Sequence, residues 1–200
     1  MQLDTPLDHV LETGTHVRVL RALAALPAGF PASGREIARR AGTSHTTASR
    51  ILRGLEDLRV VQLQHAGRAD LYLLNEVHIL VPKIRALFEQ ESGIRSQLIA
   101  YLREELPTRI GRAEGAYLFG SAGRGETHPD SDIDVGVVAP VRPTAEIEPA
   151  LAALSAAVRD RFGSELNVLV TPSRERKRRP KLWERIEADG VQLLDGRHRG

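Results

Sequence analysis

The sequence has no cysteine, no long apolar run and very little lysine. Because cysteine is absent, neither disulfides nor a thiolate zinc site can form, and the composition fits a reducing compartment. The apolar runs are too short to span a membrane, and the acidic start MQLDTPLDHVLE lacks the basic and apolar regions of a signal peptide. These absences predict a cytoplasmic protein with no membrane partner.

The positive charge that is present comes almost entirely from arginine. The planar guanidinium suits phosphate, so the composition favours a nucleic-acid partner, although a high arginine content can equally reflect genome composition. Two hundred residues are enough for one medium domain or two small ones, and the sequence changes character in mid-chain. This change favours two domains.

The first third of the chain has the apolar periodicity of three short helices. The first helix is expected over residues 15–26. Ser33 followed by Glu36 is a capping-box pattern that opens a second helix, which ends at Gly42. After a tight turn, a third helix is expected over residues 44–58, with polar and basic residues near its start. A short helix, a glycine turn and a longer helix form the arrangement that places a recognition helix in the DNA major groove.

Two short strands follow, at residues 60–64 and 71–74, around a turn supplied by Gly67. This pattern predicts a hairpin with Arg68 at its tip. The helix-turn-helix with its basic-tipped hairpin resembles the winged-helix repressors of the MarR and ArsR type. The resemblance implies an operator in double-stranded DNA, with contacts from Ser44, His45, Thr46, Arg50 and Arg68. An interaction module that does not bind DNA is the alternative.

A helical pattern returns at Leu80 and continues to about Leu106. Gly93 can split or kink this helix, and Pro107 is expected to end it. Its apolar side can pack within the chain or form a dimer seam. Because winged-helix repressors commonly dimerise on palindromic sites, we expect a homodimer.

The stretch AYLFGSAGRGETHPDSDIDVGVV, residues 116–138, predicts a strand, a tight turn and a second strand. Side chains alternate along a strand, so Asp132 and Asp134 project to one side. Two carboxylates this close repel each other unless a cation lies between them, and Mg²⁺ binds carboxylate and phosphate oxygens together. At the turn, Gly120 lets the backbone approach a phosphate, to which the Ser121 hydroxyl can donate. The stretch therefore predicts a site for a metal-bridged nucleoside triphosphate.

Gly120-Ser121, a ten-residue spacer and Asp132-Ile133-Asp134 resemble the signature of the minimal nucleotidyltransferase domains, in the superfamily of DNA polymerase beta and kanamycin nucleotidyltransferase. The resemblance implies Mg²⁺ or Mn²⁺ as the cofactor, ATP or another nucleoside triphosphate as the substrate, and Asp132 and Asp134 as catalytic metal ligands. The nucleotide contacts that it implies are Gly120, Ser121, Arg124 and Ser131. The alternative is a solvated acidic loop.

In the resembling enzymes a third carboxylate lies on the next strand, where it accepts the proton of the attacking hydroxyl. Here a helix is expected over residues 144–162 and the strand over residues 165–170, with Asn167 at the corresponding position. Asparagine can bind a metal or a phosphate but cannot act as a base. Glu165, two residues earlier, is the other candidate for the catalytic role, and its alternative is a solvated residue at a strand start.

Together these segments predict an α+β protein in three parts. These are a winged helix-turn-helix DNA-binding domain at residues 1–79, a connecting helix at 80–107 and a minimal nucleotidyltransferase domain with a mixed sheet at 108–200. The layout resembles bacterial proteins in which a winged-helix regulator is fused to a minimal nucleotidyltransferase domain. It leaves open a transferase acting on a hydroxyl of a protein, drug or RNA, a repressor whose degenerate domain senses nucleotide, and an antitoxin that represses its operon and modifies or masks its toxin.

Overall fold

The computed structural model of the chain describes residue 5 and residues 7–111, 113–125, 131–140, 147–178 and 180–195. The chain forms two compact units, Met1–Ser92 and Gly93–Gly200. Each unit has a hydrophobic core and a β-sheet of its own. None of the described helices is long and apolar enough to cross a membrane.

The first unit consists of short helices and a small antiparallel sheet. Its elements are α1 (Leu7–Val10), α2 (Gly14–Ala24), β1 (Ala32–Ser33), α3 (Gly34–Arg40), α4 (His45–Asp57), β2 (Val61–Ala66), β3 (Ala69–Leu74) and the first turns of α5 (Val81–Ile110). The helices α2, α3 and α4 each begin at a hydroxyl side chain that accepts a backbone N–H: Thr13, Ser33 and Ser44. Such a cap satisfies one of the N–H groups that have no partner within the helix. The expected cap at Ser33 is thereby confirmed.

The hairpin of the first unit is confirmed, and its strands are longer than expected. The antiparallel ladder of β2 and β3 continues to the pair Ala66 and Ala69, so that only Gly67 and Arg68 form the turn. Gly67 has a φ of +60°, which a two-residue hairpin turn requires and which glycine adopts without strain. The short strand β1 completes the sheet on the other side of β3.

The second unit is a four-stranded mixed sheet with helices on both faces. After the later turns of α5 its elements are β4 (Gly115–Phe119), α6 (Gly120–Arg124), β5 (Ile133–Ala139), α7 (Ile147–Phe162), β6 (Leu166–Pro172), α8 (Ser173–Arg176), α9 (Pro180–Asp189) and β7 (Val191–Asp195). The strand order is β6-β5-β4-β7, in which β5 and β6 are parallel and the other neighbours antiparallel. The expected mixed sheet and the α+β class are confirmed.

The two faces of this sheet are covered differently. On one face, Leu102 of α5 and Leu154 of α7 are fully buried in the main core of the unit. On the other face, Trp183 of α9 packs over Gly136, where an added Cβ would lie 3.2 Å from the indole ring. The helix α9 thus covers the middle and end of β5, and the start of the strand is left for polar side chains.

The helix α5 differs from its expected end. We expected Pro107 to end it, but the helix continues from Val81 to Ile110 with Pro107 inside, and Gly93, which could have split it, lies within the same helix. Pro107 cannot donate to the carbonyl one turn earlier, yet its fixed φ is compatible with a helix. The buried side chains of Leu106 and Ile110, on either side of it, keep the last turn on the core of the second unit. The expected start of α7 at residue 144 lies outside the described residues.

Candidate functional site

Two aspartates flank the first residue of β5. Asp132 directly precedes the strand and Asp134 is its second residue, while Ile133 between them is buried in the core. Because side chains alternate along a strand, both carboxylates lie on the sheet face opposite to Ile133. Asp132 is exposed and Asp134 is half-buried. The predicted pair therefore lies side by side at a solvent-accessible edge.

The neighbouring strand β6 adds an amide to this pair. In the parallel ladder Asn167 lies opposite Asp134, and its Nδ2 donates a hydrogen bond of 3.1 Å to Asp132 Oδ2. The position that would carry a third carboxylate therefore holds a neutral donor. Its N–H group stabilises the charge of Asp132, but it cannot accept a proton.

The carboxyl of Asp134 is perturbed by this environment. Burial raises its pKa above the ordinary value; the neighbouring amide of Asn167, which is a hydrogen-bond donor, opposes the shift, and the negative charge of Asp132 adds to it. The direction means that ionised Asp134 is destabilised in the folded protein. A cation bound between the two aspartates would remove this penalty.

Gly120 begins α6 in a left-handed backbone conformation with a φ of +68°. The preceding residue, Phe119, pairs with Asp134 across β4 and β5, and this register brings the aspartate against the turn. A Cβ on residue 120 would lie 2.6 Å from Asp134 Oδ2, closer than real Cβ contacts come. Position 120 thus requires glycine for two reasons: the positive φ of its backbone and the close approach of the Asp134 carboxylate.

We expect Gly120→Ala to weaken metal-dependent nucleotide binding strongly, because the new methyl group displaces the Asp134 carboxylate. The matched control is Gly163→Ala. Gly163 also has a positive φ, of +74°, but nothing lies within 4 Å of its Cβ position. Calorimetric titration of both variants separates the displaced carboxylate from backbone strain. Equal losses of nucleotide affinity in the two variants would contradict this role for Gly120.

The other residues predicted to contact nucleotide lie around the same turn. Ser121 is the second residue of α6 and is half-buried, whereas Arg124 is its last residue and is exposed. Ser131 directly precedes Asp132. Ser121 and Arg124 thus share α6 with Gly120, and Ser131 is the sequence neighbour of Asp132.

Sequence reasoning missed one residue of this region, Arg95 of α5. Its Nε donates to the carbonyl of Ala122 at 3.1 Å and its Nη2 to the carbonyl of Gly123 at 2.6 Å, both in α6. No motif connects residue 95 with residues 122 and 123. The only signal in the sequence was the helical spacing between Arg95 and Leu98, which lies in the core. This spacing indicated that Arg95 lies on α5 and nothing more.

Glu165, the sequence candidate for the third carboxylate, is engaged elsewhere. It directly precedes β6, and its exposed carboxylate accepts a hydrogen bond of 2.9 Å from Arg159 Nη1 on α7. Its backbone carbonyl accepts the N–H of Ile133. The partner of Asp132 in the structure is therefore the amide of Asn167, and the partner of Glu165 is an arginine.

The donor set fits one divalent cation that is shared with phosphate. Mg²⁺ is usually bound in proteins by one or two carboxylates together with substrate phosphates. Asp132 and Asp134 supply two carboxylates, and the part of the chain that the structure describes has no group of three or more acidic or histidine side chains able to hold a metal. The arrangement therefore suits a cation that bridges the aspartates and a triphosphate.

In the first unit, the residues predicted to contact DNA lie at the N-cap and in the first half of α4 and at the hairpin tip. His45, Thr46 and Arg50 are exposed on α4, and Arg68 is exposed in the turn between β2 and β3. Ser44 is exposed too, but its Oγ accepts the N–H of Thr47 at 3.1 Å and so caps the helix. Helix and hairpin thus present polar and basic groups to solvent.

A groove of about 560 Å³ lies between this helix and the hairpin. It brings Arg68 together with Arg53 of α4, which the sequence places on the outer face of this helix, and with Arg35 of α3, which the sequence did not single out. The other lining residues are Ser33, Gly34, His45, Ser49, Ala69, Asp70 and Tyr72. Three guanidinium groups around one groove favour an anionic partner.

Comparison with known protein families assigns both units. Residues 13–69 match the profile of the MarR family, and residues 97–190 match the profile of the nucleotidyltransferase domain. The first unit is therefore a MarR-family winged-helix domain, and the second is a nucleotidyltransferase domain. The Gly120 turn and both aspartates lie within the second match.

Three similar solved structures each match about half of the chain. A toxin–antitoxin crystal structure with AMP-PNP is 24% identical over 52% of this chain and 74% of that chain, with a TM-score of 0.36. A homodimeric winged helix-turn-helix DNA-binding domain from Mycobacterium bovis is 23% identical over 46% of this chain and 87% of that chain, with a TM-score of 0.33. Lactococcus lactis ZitR in complex with DNA is 19% identical over 50% and 68%, with a TM-score of 0.35. No curated protein matched the chain.

Proposed function

We propose that this chain is a DNA-binding transcriptional regulator whose second domain binds a nucleoside triphosphate through a divalent cation. The observation that carries the nucleotide site is the contact of Asp134 with the Gly120 turn, beside Asp132 on the same face. A cation between these carboxylates removes their repulsion and holds the triphosphate. The turn beside it offers the Ser121 hydroxyl and backbone N–H groups to the phosphate oxygens.

The experiment that tests this site is a titration of the full chain with each of the four common ribonucleoside triphosphates, in magnesium or manganese and again with EDTA. We expect binding that needs the metal. Binding that is equally strong in EDTA, or no binding to any of the four, would contradict the proposed nucleotide site.

Whether the bound nucleotide reacts depends on a proton acceptor. In nucleotidyl transfer an acceptor hydroxyl attacks the α-phosphorus, the bond to the β-phosphate oxygen breaks, pyrophosphate leaves, and the hydroxyl proton passes to a base. Asn167 cannot take this proton, and the Glu165 carboxylate is paired with Arg159. This arrangement favours a domain that senses nucleotide, with transfer to a protein or another hydroxyl acceptor as the second candidate, supported by the family of the domain.

The DNA-binding role of the first domain rests on the exposed residues of α4 and of the hairpin. Arg50 is exposed near the middle of α4, where its guanidinium can contact a base edge or a phosphate. The neighbouring groove is lined by three further arginines that can contact the phosphate backbone of DNA: Arg35, Arg53 and Arg68. A homodimer would place two such helices on a palindromic operator.

We expect Arg50→Ala to weaken binding to the protein's own promoter about tenfold and to reduce its salt dependence, because one cationic contact is lost. Arg161→Ala, which removes the same charge from the exposed surface of α7, is the control. Fluorescence anisotropy at several salt concentrations measures both quantities. If Arg50→Ala and Arg161→Ala bind the promoter equally well, α4 is not the recognition helix.

A further inference from the structure

We propose that Arg95 is a positioning residue of the nucleotide site: it fixes the end of the α6 turn so that the groups at its start meet the triphosphate. The inference rests on the proposed nucleotide site and assigns the geometry of that site to a helix outside the motif. Arg95 is exposed on α5, twenty-five residues before the turn begins.

The guanidinium of Arg95 bridges two successive backbone carbonyls. The 3.1 Å bond to Ala122 and the 2.6 Å bond to Gly123 use two N–H groups of one planar fork. Such a fork fixes both the distance and the orientation of the segment that it binds, which a single flexible amine does not. Both carbonyls belong to buried residues at the C-terminal half of α6.

Burial of Ala122 in the main core of the unit holds the middle of the turn, whereas its own hydrogen bonds hold it weakly. The turn contains only five residues, so it makes few hydrogen bonds of its own, and the bond from Gly125 N to Ala122 O is long at 3.4 Å. Gly123 lies against the strand before it, since a Cβ there would lie 2.8 Å from the carbonyl of Leu118. Core packing therefore holds the middle of α6, and the Arg95 bonds fix the backbone at its C-terminal half.

The segment of α5 that carries Arg95 is held in place by buried side chains. Leu98, three residues later on α5, is buried, and Leu102 one turn further is fully buried in the core of the second unit. Arg95 thus connects the phosphate-binding turn to a packed helix. Phosphate recognition requires donors held to within about 0.5 Å, so a turn released from this helix is expected to bind nucleotide more weakly.

The test compares Arg95→Ala, Arg95→Lys and Arg103→Ala by calorimetric titration with the metal–nucleotide complex. Arg103 is the matched control, because it lies on the same helix and its Nη2 donates at 2.9 Å to a backbone carbonyl, that of Gln192 on β7. We expect Arg95→Ala to lose about tenfold in nucleotide affinity, as loss of charge-assisted hydrogen bonds implies. Arg95→Lys is expected to lose less, and Arg103→Ala to bind as the wild type does.

Chemical rescue separates positioning from general destabilisation. Low concentrations of guanidinium are expected to restore part of the affinity of Arg95→Ala and to leave that of the wild type unchanged, whereas guanidinium only weakens a protein that is partly unfolded. If Arg95→Ala binds nucleotide as tightly as the wild type, Arg95 has no positioning role. The role is also overturned if guanidinium does not rescue Arg95→Ala and Arg103→Ala loses as much affinity as Arg95→Ala does. If the wild-type protein does not bind nucleotide in the presence of metal, the proposed nucleotide site itself is wrong. Failure of the nucleotide site can therefore be distinguished from failure of the role of Arg95.

Discussion

Asp134→Asn should abolish metal-dependent nucleotide binding and, at the same time, raise the melting temperature of the protein without nucleotide. Nucleotide binding is lost because the substitution removes one of the two carboxylates that can hold the cation. Removing a residue that only contacts a metal ligand already lowers metal affinity by about 10–100-fold, so removing the ligand itself should have a larger effect. We expect the same loss of binding for Asp132→Asn. We expect the gain in stability for Asp134→Asn because burial raises the pKa of that carboxyl.

The sign of the stability effect follows from linkage. A carboxyl whose pKa is raised by folding favours the folded state at low pH, and this contribution is lost as the pH rises through the folded pKa. At neutral pH the ionised Asp134 therefore destabilises the folded protein, and a neutral asparagine of the same shape does not. The difference between Asp134→Asn and the wild type is expected to vanish in acid, below the ordinary carboxyl pKa of 3.8.

Thermal unfolding from pH 3 to pH 8 without nucleotide, together with titration of the metal–nucleotide complex at neutral pH, measures both effects. Asp160→Asn, on the exposed surface of α7, removes the same charge and serves as the control for net charge. A variant that is more stable and yet does not bind nucleotide cannot owe its loss to misfolding. If Asp134→Asn binds nucleotide and metal as tightly as the wild type, the metal site is refuted.

Asn167→Asp is expected to create or greatly increase nucleotidyl transfer. The substitution places a third carboxylate on β6, opposite Asp134 in the parallel ladder and within hydrogen-bond distance of Asp132. A positioned base typically contributes about 10²–10⁴-fold to a reaction rate, and an added carboxylate strengthens cation binding. Without metal, the same variant is expected to be less stable, because three carboxylates then repel each other and Asp132 loses its N–H donor.

Transfer is measured with nucleotide that carries a labelled α-phosphate, incubated with candidate protein, RNA and small hydroxyl acceptors. Asn167→Ala is the control, since it removes the amide but adds no base, and no gain is expected from it. If Glu165 is the base, Glu165→Gln stops transfer by the wild type and Asn167→Asp adds little. Wild-type transfer that is as fast as that of Asn167→Asp would show that Asn167 does not limit the chemistry.

Much of the first domain and the positions of the aspartates could be predicted because their signals are local. Ser33 caps a helix through the N–H group three residues later, as expected, and Gly67 forms a turn between two strands that pair with each other. Alternation along β5 determines that Asp132 and Asp134 share a face. The predictions for these residues depended on neighbours within about one turn of helix or one hairpin.

The continuation of α5 past Pro107 could not be predicted in this way. Locally, proline disfavours a helix interior, and the pattern gave no reason for an exception. Burial of Leu106 and Ile110 against residues far along the chain outweighs the lost hydrogen bond. Tertiary packing thus overrode a local propensity.

The sequence by itself determined that two carboxylates, a glycine turn and a winged helix are present, because each depends on residue type and short spacing. Only the tertiary structure decided what surrounds them: Asp134 against Gly120, Asn167 on Asp132, Glu165 on Arg159 and Arg95 on the end of α6. These contacts join residues on different elements, and strand register and helix packing, which set their distances, are properties of the whole folded unit.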